Sequence, residues 1–257
     1  MANLGAATVW GLVVGGSLIV GALVASAVRL PSNVAALVTA FGGGVLLVAV
    51  ALELVPEADA NAGTALTAAG LLAGTLIYVA ADRWLSRDEE MEMMRRSGHA
   101  AAAGMSMEMP KDTSGLARGE AIAAGIFIDG VPESIALGLT ISEGEGEVGV
   151  ALLAGILIGN VVEAYGAAQP ILAAGRSRRF ALVLLGAIGL ALAFATVLGG
   201  TVLADASESL VGTAQAIAAG AVLAVITIAV VPYAFSEVST RVATATVLGF
   251  ILGYVLS

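Results

Sequence analysis

Eight apolar runs, separated by charged or turn-forming residues, constrain the fold of this 257-residue chain more than any other feature. About 20 apolar residues make one helical bilayer crossing. Only 12% of the residues are charged, whereas soluble domains have about 25%. We therefore predict an all-α, polytopic membrane protein. Its eight predicted transmembrane helices are Leu4–Leu30, Val34–Pro56, Thr64–Ala81, Leu116–Ile141, Val148–Ala174, Phe180–Ala204, Leu210–Phe235 and Val242–Leu256.

The basic residues indicate the orientation in the membrane. All eleven fall at the connections after helices one, three, five and seven, and they are Arg29, Arg83, Arg87, Arg95, Arg96, Lys111, Arg118, Arg176, Arg178, Arg179 and Arg241. Connections rich in Lys and Arg stay in the cytoplasm, which predicts a multi-pass protein of the cell (plasma or inner) membrane with both termini extracytoplasmic. The net charge of −9 argues for cations as partners beside membrane lipid, and against nucleic acid.

Four regions follow from the helix pattern. Residues 1–82 hold helices 1–3, residues 83–115 form a cytoplasmic loop, residues 116–174 hold helices 4–5, and residues 175–257 hold helices 6–8. The loop is interpreted as a flexible tether or as a segment that handles soft metals. Its metal-binding side chains are Met91, Met93, Met94, Met105, Met107, Met109 and the single His99. With no cysteine and one histidine, the chain has neither thiolate zinc sites nor multi-histidine cages.

Helices two and seven contain similar segments. GVLLVAVALELVPEA runs from Gly44 to Ala58, and GAVLAVITIAVVPYA runs from Gly220 to Ala234. The predicted orientation makes these two segments antiparallel, as in the inverted repeats of secondary transporters. We predict a 3+2+3 arrangement in which helices 1–3 mirror helices 6–8 around central helices 4 and 5. The alternative is a chance similarity between two spans rich in Val, Ala and Leu.

Helices four and five carry acidic and amide side chains at membrane depth. Asp129 and Glu133 are four residues apart in helix four, and Asn160 and Glu163 are three apart in helix five. Each spacing places both side chains on one helix face. A buried acid costs roughly 2.5–3.5 kcal/mol on insertion scales, so a bound divalent cation is the simplest compensation. Protonated carboxyls hydrogen-bonded between helices are the alternative, and for Asn160 a plain helix-bridging amide is a strong one.

These motifs resemble the ZIP (Zrt/Irt-like) divalent-metal transporters, in particular their prokaryotic branch. Helix four of that family carries His-Asn-x-Pro-Glu-Gly, with which the segment from Asp129 to Ser134 aligns. Helix five carries His or Gln and then Asn-x-Pro-Glu-Gly, with which the segment from Gly159 to Ala164 aligns. The eight helices, the exterior termini and the long loop after helix three also match. The resemblance implies uptake of a divalent metal into the cytoplasm by alternating access, and a homodimer.

Carried over by position, the metal ligands are Asp129, Glu133, Asn160 and Glu163. Gly130 and Gly159 stand where the family has ligating side chains, and helix seven departs at Ile228, Ala229 and Tyr233. The resemblance therefore implies one main metal site. The family favours zinc as the substrate, while a site of oxygen ligands alone also suits manganese, iron or cadmium. No other cofactor is expected.

Other functions stay open on the sequence. A proton-coupled carrier for a small organic solute would use Asp129 or Glu163 as a proton relay. A transport-inactive, ZIP-like metal sensor would keep the fold without moving ions. An intramembrane hydrolase needs two closely placed aspartates, and Asp129 is the single aspartate deep in the predicted spans. We therefore do not expect an enzyme.

Overall fold

The computed structural model describes residues 2–85, 115–143, 148–173, 175–202 and 206–257, which form helices joined by short turns, with no strand in these ranges. The helices are α1 (Ala2–Ala27), α2 (Ser32–Val48, continued by Ala49–Leu54 and Val55–Ala62), α3 (Thr64–Leu85), α4 (Gly115–Glu143), α5 (Val150–Ala173), α6 (Arg178–Thr201), α7 (Glu208–Val225, continued by Ile226–Val230 and Val231–Val238) and α8 (Arg241–Leu256). The predicted all-α fold is confirmed. The predicted methionines and His99 of the 83–115 loop lie outside the described residues.

Six of these helices are long and apolar enough to cross a membrane. Their apolar stretches are Leu4–Ala27, Asn33–Ala62, Thr64–Ala81, Val150–Gln169, Arg178–Thr201 and Glu208–Ile228. The helix α8 is apolar but has only 16 residues, and α4 is not among the six. The structure thus indicates a membrane-embedded protein with several crossings, and the eight-span arrangement stays a prediction.

The outer faces of the helix bundle are apolar. Leu76 of α3, Leu190 and Phe194 of α6, and Val255 of α8 are each more than half exposed. A protein surrounded by water rarely exposes large contiguous apolar patches, so these faces fit contact with lipid. The helices α2, α5 and α7 are the most enclosed of the six candidate spans, and α4 packs against α5, α6 and α7. The buried Glu133 of α4 and Asn160 of α5 therefore lie toward the centre of the bundle.

Both α2 and α7 contain a π-helical turn just before a Val-Pro pair. The turns are Ala49–Leu54, ahead of Pro56, and Ile226–Val230, ahead of Pro232. Proline has no N–H and its ring clashes with the carbonyl one turn earlier. A π-turn inserts one extra residue into the helix and changes the hydrogen-bonding pattern around that carbonyl. The helix then continues through the proline without a break.

This continuation corrects the predicted end of helix two. We predicted that helix two ends at Pro56, whereas the helix runs on to Ala62 and includes Glu57 and Asp59. The proline occupies one of the first two positions of the last helical segment, which follows directly on the π-turn. Gly63, with φ of +78°, then turns the chain directly into α3. Glu57 and Asp59 thus lie in the last helical segment of α2.

Glycines bring α2 and α8 into backbone contact. A Cβ atom at Gly44 of α2 would meet the backbone of Thr246, and one at Gly249 of α8 would meet the backbone of Phe41. Any side chain at these positions would force the helices apart. Small residues at a membrane helix interface permit this close packing, so the α2–α8 distance depends on the two glycines.

The α3–α7 contact has the same design. A Cβ atom at Gly220 of α7 would meet the backbone of Leu71, and one at Gly74 of α3 would meet the backbone of Ile217. The two contacts involve equivalent residues. Adding 176 to the numbers of Phe41 and Gly44 in α2 gives Ile217 and Gly220 in α7. Adding 175 to the numbers of Leu71 and Gly74 in α3 gives Thr246 and Gly249 in α8. Helices α1 and α6 share the reciprocal glycine pair Gly15 and Gly189, and a Cβ atom at Gly11 of α1 would also meet the backbone of Ala193 in α6.

Candidate functional site

The buried part of α4 carries an acid and a hydroxyl side by side. Glu133 is 7% exposed and Ser134 is fully buried. The Ser134 hydroxyl oxygen has no hydrogen-bond partner, although buried polar groups are normally paired. Pro132 lies inside α4, which continues as a helix through it. The predicted ligand Asp129 lies one turn earlier on α4, and its side chain is outside the described part of the chain.

On α5, Asn160 is buried and bridges to a neighbouring helix. It is 2% exposed, and its amide nitrogen donates a hydrogen bond of 3.3 Å to the carbonyl oxygen of Val14 in α1. This is the helix-bridging role that the sequence left open for Asn160, and it leaves the amide oxygen as the atom suited to ligate a metal. Glu163 lies one turn further along α5 and is half-buried.

Two more polar residues of α5 also bond to α1. The Tyr165 hydroxyl accepts a hydrogen bond of 2.7 Å from the backbone N–H of Leu30, and the Gln169 amide donates one of 2.8 Å to the carbonyl oxygen of Ala25. Both satisfy backbone groups at the end of α1, where no helical partner remains. These two side chains therefore have a structural role.

Two of the predicted ligands are buried on helices that pack against each other. Helices α4 and α5 pack against each other, with Glu133 and Asn160 both buried. Among the residues whose side chains are described, no three His, Cys, Asp or Glu groups lie close enough together to hold a metal ion. The Asp129 side chain lies outside the described part of the chain, and Asn160 is an amide and not one of these four residue types. The four-residue site accordingly stays a prediction.

An acidic cavity opens at the end of the bundle where α2 ends and α5 begins. Its volume is about 620 Å³, and its polar lining comes from Glu53, Glu57 and Asn61 of α2, Thr140 of α4 and Ser257 after α8. Gln215 of α7, itself fully buried, donates a hydrogen bond of 3.1 Å to Glu57. This contact holds the Glu57 carboxylate in place at the cavity wall.

Glu53 reaches the first turn of α5 from the π-turn of α2. Backbone N–H groups of Ala151 and Leu152 interact with its carboxylate, as expected at a helix N-terminus with unpaired donors. Gly149 permits this approach, because a Cβ atom there would lie 2.6 Å from Oε2 of Glu53. That Oε2 atom is buried and has no hydrogen-bond partner.

Glu53 was missing from the predicted site. The acids Asp129, Glu133 and Glu163 were predicted as site residues because they lie furthest from the ends of their predicted spans, whereas Glu53 lies three residues before the predicted end at Pro56. One signal could have identified Glu53, namely a lone acid in the apolar run before Pro56, whose repeat counterpart is Ala229. A charged residue in one copy of a repeat and not in the other points to a role that only one copy has.

No family model matches this chain, and no curated protein is significantly similar to it.

Proposed function

We propose that this protein is a divalent metal cation transporter of the ZIP type that moves ions into the cytoplasm by alternating access. The observation that carries the proposal is the burial of Glu133 and Asn160 on two adjacent helices in the middle of an apolar bundle. Ionisable groups inside a membrane are costly and mark ion or proton paths. A metal ion compensates the charge of such an acid while it passes.

The proposed transport site consists of Asp129, Glu133, Asn160 and Glu163. The Ser134 hydroxyl, buried without a hydrogen-bond partner among the described residues, is a further buried oxygen on α4, next to Glu133 in sequence. Carboxylate, amide and hydroxyl oxygens suit manganese and iron(II), and zinc and cadmium also accept carboxylates. Zinc remains the first substrate to test because the ZIP resemblance favours it.

The proposed entrance is the acidic cavity lined by Glu53 and Glu57. A cleft lined by one sign of charge raises the local concentration of ions of the opposite sign. Thr140 lies in the wall of this cavity, two helical turns from Glu133 along the same face of α4. A cation held by the two glutamates could therefore follow α4 toward the buried site.

The proposed architecture is eight transmembrane helices in a 3+2+3 arrangement, with both termini outside the cytoplasm. Support comes from the glycine contacts of α2 with α8, which recur between α3 and α7 at equivalent positions. It also comes from the two π-turns, which precede equivalent prolines. Two inverted repeats can exchange conformations, which opens a midplane site to one side and then to the other.

Metal influx into proteoliposomes tests the proposal. Vesicles that contain the full chain and a metal-responsive dye are exposed to Zn²⁺, Mn²⁺, Fe²⁺, Cd²⁺ or Mg²⁺. We expect influx of at least one transition metal. The substitutions Glu133→Gln and Glu163→Gln should each lower the influx rate by at least about tenfold. Removing even a residue that only hydrogen-bonds to a metal ligand can cause a loss of this size. Asp59→Asn, an exposed acid at the end of α2, is the matched control.

The outcomes separate the competing functions. No influx of any of the five ions would contradict the transporter proposal. Metal binding by calorimetry without influx would favour the metal sensor. Normal influx in both glutamine variants would leave transport intact but disprove the proposed site. Light scattering of the purified protein would test the homodimer that the ZIP resemblance implies.

A further inference from the structure

A second cavity lies at the opposite end of α5 from the acidic one. Its volume is about 380 Å³, and it is bordered by the end of α1, the end of α5 and the start of α6. The charged groups in its wall are the exposed Arg29 and Arg178, and none of its described lining residues is acidic. The proposed function makes no use of this cavity.

The two arginines have no partner within the part of the chain that the structure describes. Neither the Arg29 nor the Arg178 side chain forms a hydrogen bond or ion pair with a described residue. The other polar side chains of the wall are already bonded, because Gln169 donates to Ala25 and Ser26 donates to Leu23. Two guanidinium groups are therefore the free hydrogen-bonding groups of this wall.

The start of α6 makes the positive potential stronger. Arg178 is the first residue of α6 and Arg179 the second. The N-terminus of a helix carries partial positive charge and favours anions, so bases are disfavoured there. Ser177 caps the N–H of Phe180, and the other unpaired N–H groups of the first turn remain available to an anion. An anion bound here would offset both sources of positive charge.

The position of the cavity indicates where this anion comes from. The cavity lies where the candidate spans Leu4–Ala27 and Val150–Gln169 end and where Arg178–Thr201 begins. This is the level at which lipid headgroups meet the ends of transmembrane helices. Val28 in its wall is half exposed, so apolar surface adjoins the arginines. A phospholipid presents a phosphate above an acyl chain and matches both features.

We propose that the cavity between Arg29 and Arg178 binds the phosphate group of an anionic phospholipid. Guanidinium groups bind phosphate oxygens in a bidentate manner, and basic pockets between transmembrane helices are suited to anionic headgroups. The bound lipid would join α1, α5 and α6 at this end of the bundle. The proposal is independent of metal transport, since it requires neither the acidic residues nor ion movement.

Native mass spectrometry of the full chain tests the proposal. Purified protein is titrated in detergent with phosphatidylglycerol, and with phosphatidylcholine as the uncharged comparison. The double variant Arg29→Gln/Arg178→Gln should bind phosphatidylglycerol about 10- to 30-fold more weakly. This range follows because each basic residue contributes about 1 kcal/mol to binding an anionic lipid. The control Arg83→Gln/Arg241→Gln loses the same charge outside the cavity wall and away from the start of α6 and should bind as the wild type does.

Three results would overturn the proposal. Equal binding of the two lipids by the wild type would exclude a charge-selective headgroup site. Equal loss of phosphatidylglycerol binding in the cavity and control variants would show a general effect of net charge. Displacement of phosphatidylglycerol by millimolar inorganic phosphate would identify a soluble phosphate site and exclude the lipid. A thermal unfolding temperature that rises with added phosphatidylglycerol in the wild type, and not in the cavity variant, is the expected second measurement.

Discussion

The contact between α1 and α6 gives the sharpest prediction about stability. Gly15 and Gly16 are neighbours in α1, yet a Cβ atom on each would have a different environment. At Gly15 it would meet the Gly189 carbonyl, with the carbonyl carbon 2.7 Å away, whereas at Gly16 nothing lies within 4 Å. The variants Gly15→Ala and Gly16→Ala therefore make the same chemical change with opposite steric consequences.

The structure sets the size of the effect. Carbon and oxygen atoms need about 3.5 Å between them, so the alanine methyl group must move α6 away by roughly 1 Å. Such a gap forfeits a quarter to a half of each dispersion contact along the interface. We expect Gly15→Ala to cost ~1–3 kcal/mol, as overpacking does in other interiors. Gly16→Ala should leave stability unchanged or raise it by up to ~1 kcal/mol through helix propensity.

The assay is the thermal stability of the detergent-solubilised full chain, measured as the fraction that remains monodisperse by size-exclusion chromatography. A loss of ~1–3 kcal/mol corresponds to a decrease of about 2–12 °C in the unfolding temperature for a chain of this size. An unfolding temperature of Gly15→Ala at or above that of Gly16→Ala would refute the close α1–α6 contact. Both proteins should first be shown to reach the membrane in equal amounts.

Three further predictions concern the repeat, the buried amide and the acidic cavity. Gly44→Ala and Gly220→Ala should each lower the free energy of unfolding by a similar amount, ~1–3 kcal/mol. A loss of stability in only one of the two variants, in the same thermal assay, would contradict equivalent contacts. Asn160→Ala should lower stability by ~0.6–2 kcal/mol through loss of its bond to α1; an unchanged unfolding temperature would show that the bond contributes nothing. Glu53→Gln should raise the metal concentration for half-maximal influx about fivefold, equivalent to ~1 kcal/mol, with the maximal rate retained. An equal effect of Asp59→Asn would show that the position of the charge is unimportant.

The positions of the helices could be predicted from the sequence, because a bilayer crossing demands a long apolar run with polar breaks. Most predicted ends lie within a few residues of the observed ones, and Pro56 shows why one does not. A proline indicates the end of a helix only if no other backbone arrangement satisfies the freed carbonyl. The π-turn Ala49–Leu54 supplies such an arrangement, and its hydrogen bonds are not visible in the residue pattern.

The site could be predicted only in part. Spacing along a helix gives the face that two residues share, so Asn160 and Glu163 could be paired without a structure. Spacing does not give the rotation of that helix against its neighbours. The Asn160 amide bonds to α1, and this contact depends on how α5 packs in three dimensions. Glu53 was missed for the same reason, because its proximity to Ala151 comes from the packing of α2 on the start of α5.

The charges distinguish the two ends of a bundle whose backbone contacts are nearly symmetric. The glycine contacts recur in both proposed repeats, and transport by exchange of repeat conformations needs two states of similar free energy. Glu53 and Glu57 have Ala229 and Tyr233 as their repeat counterparts, so the acidic cavity exists at one end alone. Arg29, Arg83 and Arg178 lie at the opposite end of the bundle. If the protein is the proposed transporter, this asymmetry favours metal capture from the acidic side, and release at the basic side must come from the change of conformation.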